Sequence, residues 1–255
     1  MALVLVVAVA ACGGDDDDAP VATSPGQVQS PTATTAAPPT GGSATEEATG
    51  APSDTPSETD EPGQTDPPDG DVGLLQLVDK QHALPEGYVP GSLTALSGAY
   101  LVAGFSGSLQ EAAAEALIRM LDDADAAGYD IRLRSGYRSY SEQEATFQYW
   151  VDTLGYDEAT RVSAMPGRSE HQLGTAADVT SADVGWELTE SFGATAAGQW
   201  LAGHAHEYGF ALSYPDGAEA VTGYAYEPWH FRYIGTDAAA DWKASGLALN
   251  KFLGG

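Results

Sequence analysis

Residues 169–179 read SEHQLGTAADV and place a histidine, His171, seven residues before an aspartate, Asp178. Gly174 lies between them and allows the backbone to turn tightly. Two alanines precede Asp178, so this carboxylate sits in an apolar, strand-like stretch where it needs a partner. Both side chains can bind a metal ion. The pair alone is weak evidence, because a turn histidine and a capping aspartate would produce the same spacing.

A second short stretch supplies the candidate for a third ligand. Catalytic zinc sites take three protein ligands from His, Asp and Glu and leave a fourth position for water. His230 lies on the polar side of a stretch in which Trp229, Phe231 and Tyr233 alternate with polar residues, as in a half-buried strand. Glu227 stands three residues before His230 and directly before a proline that breaks the strand. We expect its carboxylate to reach a metal-bound water rather than the metal.

The rest of the domain mixes helices and strands without a regular alternation. Helices are predicted to begin at capping boxes in residues 108–111 and 141–144, and a third helix is predicted to follow Thr195. Strands are predicted at residues 131–133, 210–212 and 229–233. This pattern predicts an α+β fold, with a small antiparallel sheet and flanking helices in a single domain.

Composition divides the 255 residues into unlike parts. Residues 13–72 consist almost entirely of Gly, Ser, Thr, Pro, Ala, Asp and Glu, and such a stretch cannot bury enough apolar surface to fold. We expect a disordered linker there and a folded domain in residues 73–255. The net charge of −27 would repel phosphate backbones, so no nucleic-acid partner is expected.

Residues 1–12, MALVLVVAVAAC, form an apolar run that ends in the only cysteine, Cys12. The run is short for a membrane-spanning helix, and small residues precede the cysteine. It resembles the signal segment of bacterial lipoproteins, in which the cysteine becomes the lipidated N-terminus. We therefore expect an extracytoplasmic protein that is anchored to the bacterial cell membrane through a lipid on Cys12.

Three motifs in order carry a stronger resemblance than any one of them alone. Residues 169–178 fit S-x-H-x-x-G-x-A-x-D, residues 227–230 fit E-P-W-H, and residues 136–139 fit G-Y-R-S. Together they resemble the VanY-type D-alanyl-D-alanine carboxypeptidases, which are zinc peptidases of bacterial cell walls with a small α+β fold. The resemblance covers roughly residues 74–237.

The resemblance implies a metal centre and a catalytic acid–base. His171, Asp178 and His230 would bind one zinc ion in the domain. Glu227 would act first as general base and then as general acid.

The resemblance also implies roles in holding the substrate. Arg138 would stabilise the anionic intermediate or bind the terminal carboxylate, and Ser169 and Gln143 would line the substrate site. Ser213 stands where members of the family often carry arginine, a departure that concerns the outer substrate contacts and not the metal centre.

The predicted function is removal of the terminal D-alanine from peptidoglycan stem peptides by a zinc D,D-carboxypeptidase. The chain is expected to act as a monomer. The same centre could instead serve an L,D-carboxypeptidase, a D,D-dipeptidase or a peptidoglycan endopeptidase. A different class of protein, a non-catalytic lipoprotein that binds the cell wall, is the remaining alternative.

Overall fold

Two antiparallel sheets organise residues 73–255, the part of the chain that the computed structural model describes. The smaller sheet pairs β1 (Leu93–Ala95) with β2 (Ser108–Gln110). The larger sheet has the strand order β3-β4-β6-β5, and all its neighbouring strands are antiparallel. Its strands are β3 (Ile131–Ser135), β4 (Ala176–Ser181), β5 (Phe210–Leu212) and β6 (His230–Tyr233).

Seven α-helices are formed within residues 73–255. They are α1 (Glu111–Ala126), α2 (Tyr140–Leu154), α3 (Tyr156–Val162), α4 (Ala196–His204), α5 (Glu219–Thr222), α6 (Thr236–Ser245) and α7 (Leu249–Phe252). None of the helices in this part of the chain is both long and apolar enough to cross a membrane.

The main core lies between α1 and one face of the larger sheet. Helix α1 is rich in Ala, the residue that most favours helix, and it buries Leu117 and Leu121 at a spacing of four residues. They belong to one cluster with Val179 of β4 and Phe231 of β6. Because side chains alternate along a strand, the neighbours of Val179 and Phe231 point to the opposite face of the sheet. Asp178 is one of these neighbours.

The predicted start of α1 is wrong. Residues 108–111 were expected to form a capping box, but Ser108–Gln110 pair with β1 as a strand, and Gln110 caps the helix without a side-chain bond. The reason is burial, since Leu109 is fully buried in the core and the Ser108 carbonyl accepts a bond from the Tyr137 amide at 2.7 Å. Tertiary pairing thus overrides the local capping pattern.

The predicted start of α2 is displaced by two residues. Ser139, and not Ser141, is the N-cap, and it forms a reciprocal capping box with Glu142. Both serines are followed three residues later by a glutamate, so the sequence alone offers two equivalent starts. The cap of α4 is confirmed, because the Thr195 side chain accepts a bond from the Gly198 amide at 3.0 Å.

The predicted α+β class, with small antiparallel sheets and flanking helices, is confirmed. The predicted signal segment at residues 1–12, its Cys12 and the predicted linker at residues 13–72 lie outside the described residues and stay predictions.

Gly174→Ala is expected to destabilise the domain by about 3 kcal/mol, through backbone strain and overpacking together. Gly174 has φ +72°, and a Cβ there would lie 3.0 Å from Pro90 Cγ and 3.1 Å from Leu93 Cδ2. Gly185 is the matched control, because it has φ +64° but no atom within 4 Å of such a Cβ. Gly185→Ala should therefore lose only about 1 kcal/mol. Urea unfolding in the presence of a chelator measures both, and equal losses would contradict the packing role of Gly174.

Candidate metal centre

The pairing of β4 with β6 brings the first two predicted ligands together. Asp178 and His230 are direct partners in the antiparallel register, so their side chains project from the same face of the sheet. The Nδ1 atom of His230 lies 2.9 Å from the Oδ1 atom of Asp178. Strand β6 begins at His230 and not, as predicted, at Trp229, which belongs to the preceding turn.

His171 reaches the same place from a short 3-10 helix, Glu170–Leu173, that precedes β4. The Ser169 side chain caps this helix by accepting a bond from the His171 amide at 3.3 Å. The Nδ1–H group of His171 donates to the Gly136 carbonyl at 2.7 Å. The other ring nitrogen, Nε2, therefore faces Asp178, whose Oδ2 atom lies 3.2 Å away.

These three side chains have the properties of a metal site. Each of the three residues is 4% exposed. Each offers one potential ligand atom, and these three atoms all lie within 4.8 Å of one another. Two imidazoles and one carboxylate are a donor set typical of catalytic zinc. In each imidazole, the nitrogen that would not bind the metal is hydrogen-bonded to a protein acceptor. His171 bonds to the Gly136 carbonyl in this way, and His230 bonds to the Glu170 carboxylate. Metal-binding histidines usually have such a partner. The residues present therefore fit a divalent metal.

The electrostatics of the three ligands favour a cation. Burial raises the pKa of Asp178, but the two neighbouring histidines outweigh it and hold that pKa well below its ordinary value. Burial lowers the pKa of His171, which favours the neutral imidazole with a lone pair on one nitrogen. Burial also lowers the pKa of His230, but its bonds to Asp178 and Glu170 prevail and raise it to about 10. Metal binding would replace the proton on Nδ1 of His230.

Glu227 lies beside the three ligands and is not one of them. A turn that contains Pro228 is closed by a bond from the His230 amide to the Glu227 carbonyl at 3.1 Å. This turn leaves Glu227 Oε2 at 3.8 Å from His230 Nδ1. Burial raises the pKa of Glu227 to about 8, with Asp178 and Glu170 adding to the rise and His230 and Arg138 opposing it. A carboxyl group with this pKa can both accept and give a proton near neutral pH.

Arg138 brings a half-buried positive charge to the same region. It follows β3, and its backbone amide donates to the His171 carbonyl at 3.2 Å. Its Nη1 atom donates to the Gln143 side-chain oxygen at 2.9 Å. Burial lowers the pKa of Arg138, whereas the nearby charges of Asp178 and Glu227 raise it.

The two residues predicted to line the substrate site are both buried. Gln143 is 1% exposed, and its amide nitrogen donates to the Ala164 carbonyl at 2.6 Å while its oxygen binds Arg138. Ser169 is 4% exposed and caps the turn that carries His171. In this structure the polar groups of Gln143 and Ser169 thus orient Arg138 and His171.

Three further side chains contribute to the centre and were not predicted. Glu170 accepts bonds from His230, from Ser213 and from Arg232, and all four residues are buried. Ser213 is therefore an internal residue and not an outer substrate contact. The sequence holds one signal for this group, because Arg232 stands two positions after His230 on a strand and must share its buried face.

Several known proteins are similar to this chain. A family model for VanY, described as D-alanyl-D-alanine carboxypeptidase, matches residues 106–236, just over half of the chain. The chain is 41% identical over 184 residues to the putative carboxypeptidase YodJ of Bacillus subtilis (strain 168), and the alignment covers 70% of this chain and 66% of YodJ, slightly under two thirds of that relative.

Two solved structures extend the comparison. The LdcB LD-carboxypeptidase is 40% identical with a TM-score of 0.65, over 70% of this chain and 85% of its own. A VanY D,D-pentapeptidase variant in complex with Zn(II) is 28% identical with a TM-score of 0.58, over 70% of this chain and 98% of its own. The family match spans all the residues of the candidate centre, and the chain belongs to the VanY family of D-alanyl-D-alanine carboxypeptidases.

Proposed function

We propose that this protein is a zinc-dependent D,D-carboxypeptidase that removes the terminal D-alanine from peptidoglycan stem peptides. The observation that carries the proposal is one buried cluster. Its metal-binding set of His171, Asp178 and His230 adjoins a carboxyl group, Glu227, with a pKa of about 8.

Zinc bound by the three ligands would polarise the scissile carbonyl and lower the pKa of water to about 7. Glu227 Oε2 would take the proton from the attacking water. It would later return this proton to the amine of the leaving D-alanine, a contribution of about 10²–10⁴ in rate. The raised pKa of Glu227 suits both steps, since neither protonation state is strongly disfavoured near neutral pH.

Arg138 supports the requirement for a free chain end. A planar guanidinium binds a carboxylate through two parallel hydrogen bonds, and it also stabilises an oxyanion that develops nearby. Gln143 holds one side of this guanidinium through Nη1. That bond fixes the direction of the remaining donors before substrate arrives, which lowers the entropic loss on binding.

A second candidate, an L,D-carboxypeptidase, is favoured by one comparison. The LD-carboxypeptidase LdcB is 40% identical to this chain, against 28% for the VanY D,D-pentapeptidase. Both reactions release a C-terminal D-alanine and would use the same metal centre. They differ in the residue before the scissile bond, which is D-alanine in a pentapeptide stem and the third stem residue in a tetrapeptide.

A non-catalytic wall-binding protein is the less supported alternative. Such a protein has no need of the metal ligands or of a carboxyl group with a raised pKa beside them. His171, Asp178, His230 and Glu227 are all present and lie together.

Glu227→Ala is expected to keep zinc and to lower kcat by about 10²–10⁴, because the proton shuttle is lost while the three ligands stay. His230→Ala should lose both zinc and activity. Zinc content by atomic absorption and hydrolysis of a pentapeptide stem measure the two effects. Glu144→Ala on the exposed side of α2 and His204→Ala on α4 are the matched controls, and both should behave as the wild type. Full activity of Glu227→Ala would contradict the role of this residue.

Incubation with defined stem peptides should shorten the pentapeptide by one D-alanine and leave the tetrapeptide intact. Mass spectrometry of the products, with and without a chelator, makes the measurement. If only the tetrapeptide is shortened, the enzyme is an L,D-carboxypeptidase and the D,D proposal is wrong. Release of a dipeptide would contradict both assignments.

A further inference from the structure

A buried carboxylate lies directly behind one of the metal ligands. Glu170 is 4% exposed, and its Oε2 atom accepts a bond from Nε2–H of His230 at 3.0 Å. The same oxygen accepts a bond from the Ser213 hydroxyl at 2.6 Å. His230 is thus held from both sides, by Glu170 at Nε2 and by Asp178 at Nδ1.

The charge of Glu170 has its own counterion. Arg232 is fully buried, and its Nη1 atom donates to Glu170 Oε1 at 3.0 Å. Its Nη2 atom donates to the carbonyls of Leu74 and Gln76 at 3.0 and 2.8 Å. In the strand register the small residue Ala176 lies opposite Arg232, which leaves room for the guanidinium within the sheet face.

This arrangement fixes the Glu170 carboxylate through both of its oxygens. Oε1 accepts from Arg232, and Oε2 accepts from His230 and from Ser213. A carboxylate that is held in this way is a well-placed acceptor for an imidazole N–H group.

Glu170 and His171 are adjacent in one short 3-10 helix, and their side chains serve different partners. His171 faces Asp178 with Nε2, whereas Glu170 reaches His230. A neutral imidazole has one N–H and one lone pair, and the bond at one nitrogen decides which atom is free to bind a metal.

We propose that Glu170 is a positioning residue of the metal centre, which keeps the proton on Nε2 of His230 and so directs Nδ1 towards the metal. Ser213 and Arg232 hold the Glu170 carboxylate in place. This inference rests on the metal-binding part of the proposed function and not on the substrate.

Two other roles for Glu170 make different predictions. Glu170 is outside the group of residues whose ligand atoms lie within 4.8 Å of one another, so it is not a fourth ligand of that set. A purely structural ion pair with Arg232 would affect the stability of the domain and leave the coordination of His230 unchanged.

The test uses full-length protein and zinc alone. Glu170→Gln should weaken zinc binding by about 10–100-fold, the usual effect of losing the outer partner of a metal-binding histidine. Competition with a chromophoric chelator measures this affinity. Ring ¹⁵N shifts in zinc-loaded wild type should report His230 protonated at Nε2 and coordinated through Nδ1, and Glu170→Gln should shift the Nε2 signal.

Ser213→Ala and Ser181→Ala form a matched pair. Both serines are 2% exposed and donate to a carboxylate, Ser213 to Glu170 and Ser181 to Asp183 at 3.2 Å. Ser213→Ala should weaken zinc binding by less than about 10-fold, because Glu170 keeps its charge and its bond to Arg232. Ser181→Ala should bind zinc as the wild type does.

A double variant distinguishes a loss of zinc affinity from a loss of stability. Glu170→Gln leaves Arg232 as an unpaired buried charge, which is destabilising in itself. Glu170→Gln with Arg232→Gln removes both charges and should recover part of the unfolding free energy but not the zinc affinity.

Three results would overturn the proposal: wild-type zinc affinity in Glu170→Gln, equal affinities in the two serine variants, or coordination of His230 through Nε2. Failure of the peptidase proposal would appear instead as absent hydrolysis with these zinc affinities unchanged.

Discussion

The cross-strand pair of Asp178 and His230 is the constraint on which the centre depends. The two residues face each other because β4 and β6 are paired in one particular register. A slip of one residue would turn every side chain of β6 to the other face of the sheet. Phe231 and Val179 prevent such a slip, since both are buried in the core on the opposite face. The apolar core on one face of the sheet therefore sets the position of Asp178 and His230 on the other face.

Charge balance explains why so many ionisable groups are tolerated at one buried place. Asp178, Glu170 and Glu227 bring carboxyl groups, and Arg138 and Arg232 bring guanidinium groups. Isolated charges in such a setting are very unfavourable, whereas paired and hydrogen-bonded ones are accepted. Asp178 and Glu170 are ionised through their partners, and the pKa of Glu227 rises because this group is buried, with both of those carboxylates adding to the rise. A bound divalent cation would take the place of the proton on Nδ1 of His230 in this balance.

The candidate ligands could be picked out from the sequence because each stands in a short motif whose local structure is simple. His171 is in a turn before a strand, Asp178 is within that strand, and His230 begins another. The helix starts were less predictable. Ser108 lies in a local capping pattern, but pairing with β1 and burial of Leu109 decide its conformation.

The support behind His230 could not be predicted from any local pattern. Glu170 is 43 residues from Ser213 and 62 from Arg232 in the chain, and only the folded sheet brings them together. The burial of Gln143 was missed for the same reason, since its partners Ser163 and Ala164 lie beyond the next helix. Spacing in the sequence identifies groups that could bind a metal, whereas the groups that orient them depend on tertiary contacts.

The most direct test of this account is crystallography of the zinc-loaded protein, with anomalous diffraction measured on both sides of the zinc absorption edge. We expect one strong zinc peak in contact with Nε2 of His171, a carboxylate oxygen of Asp178 and Nδ1 of His230, with Glu227 nearby and unbound. A zinc peak elsewhere, or these three side chains intact and directed away from any metal, would contradict it.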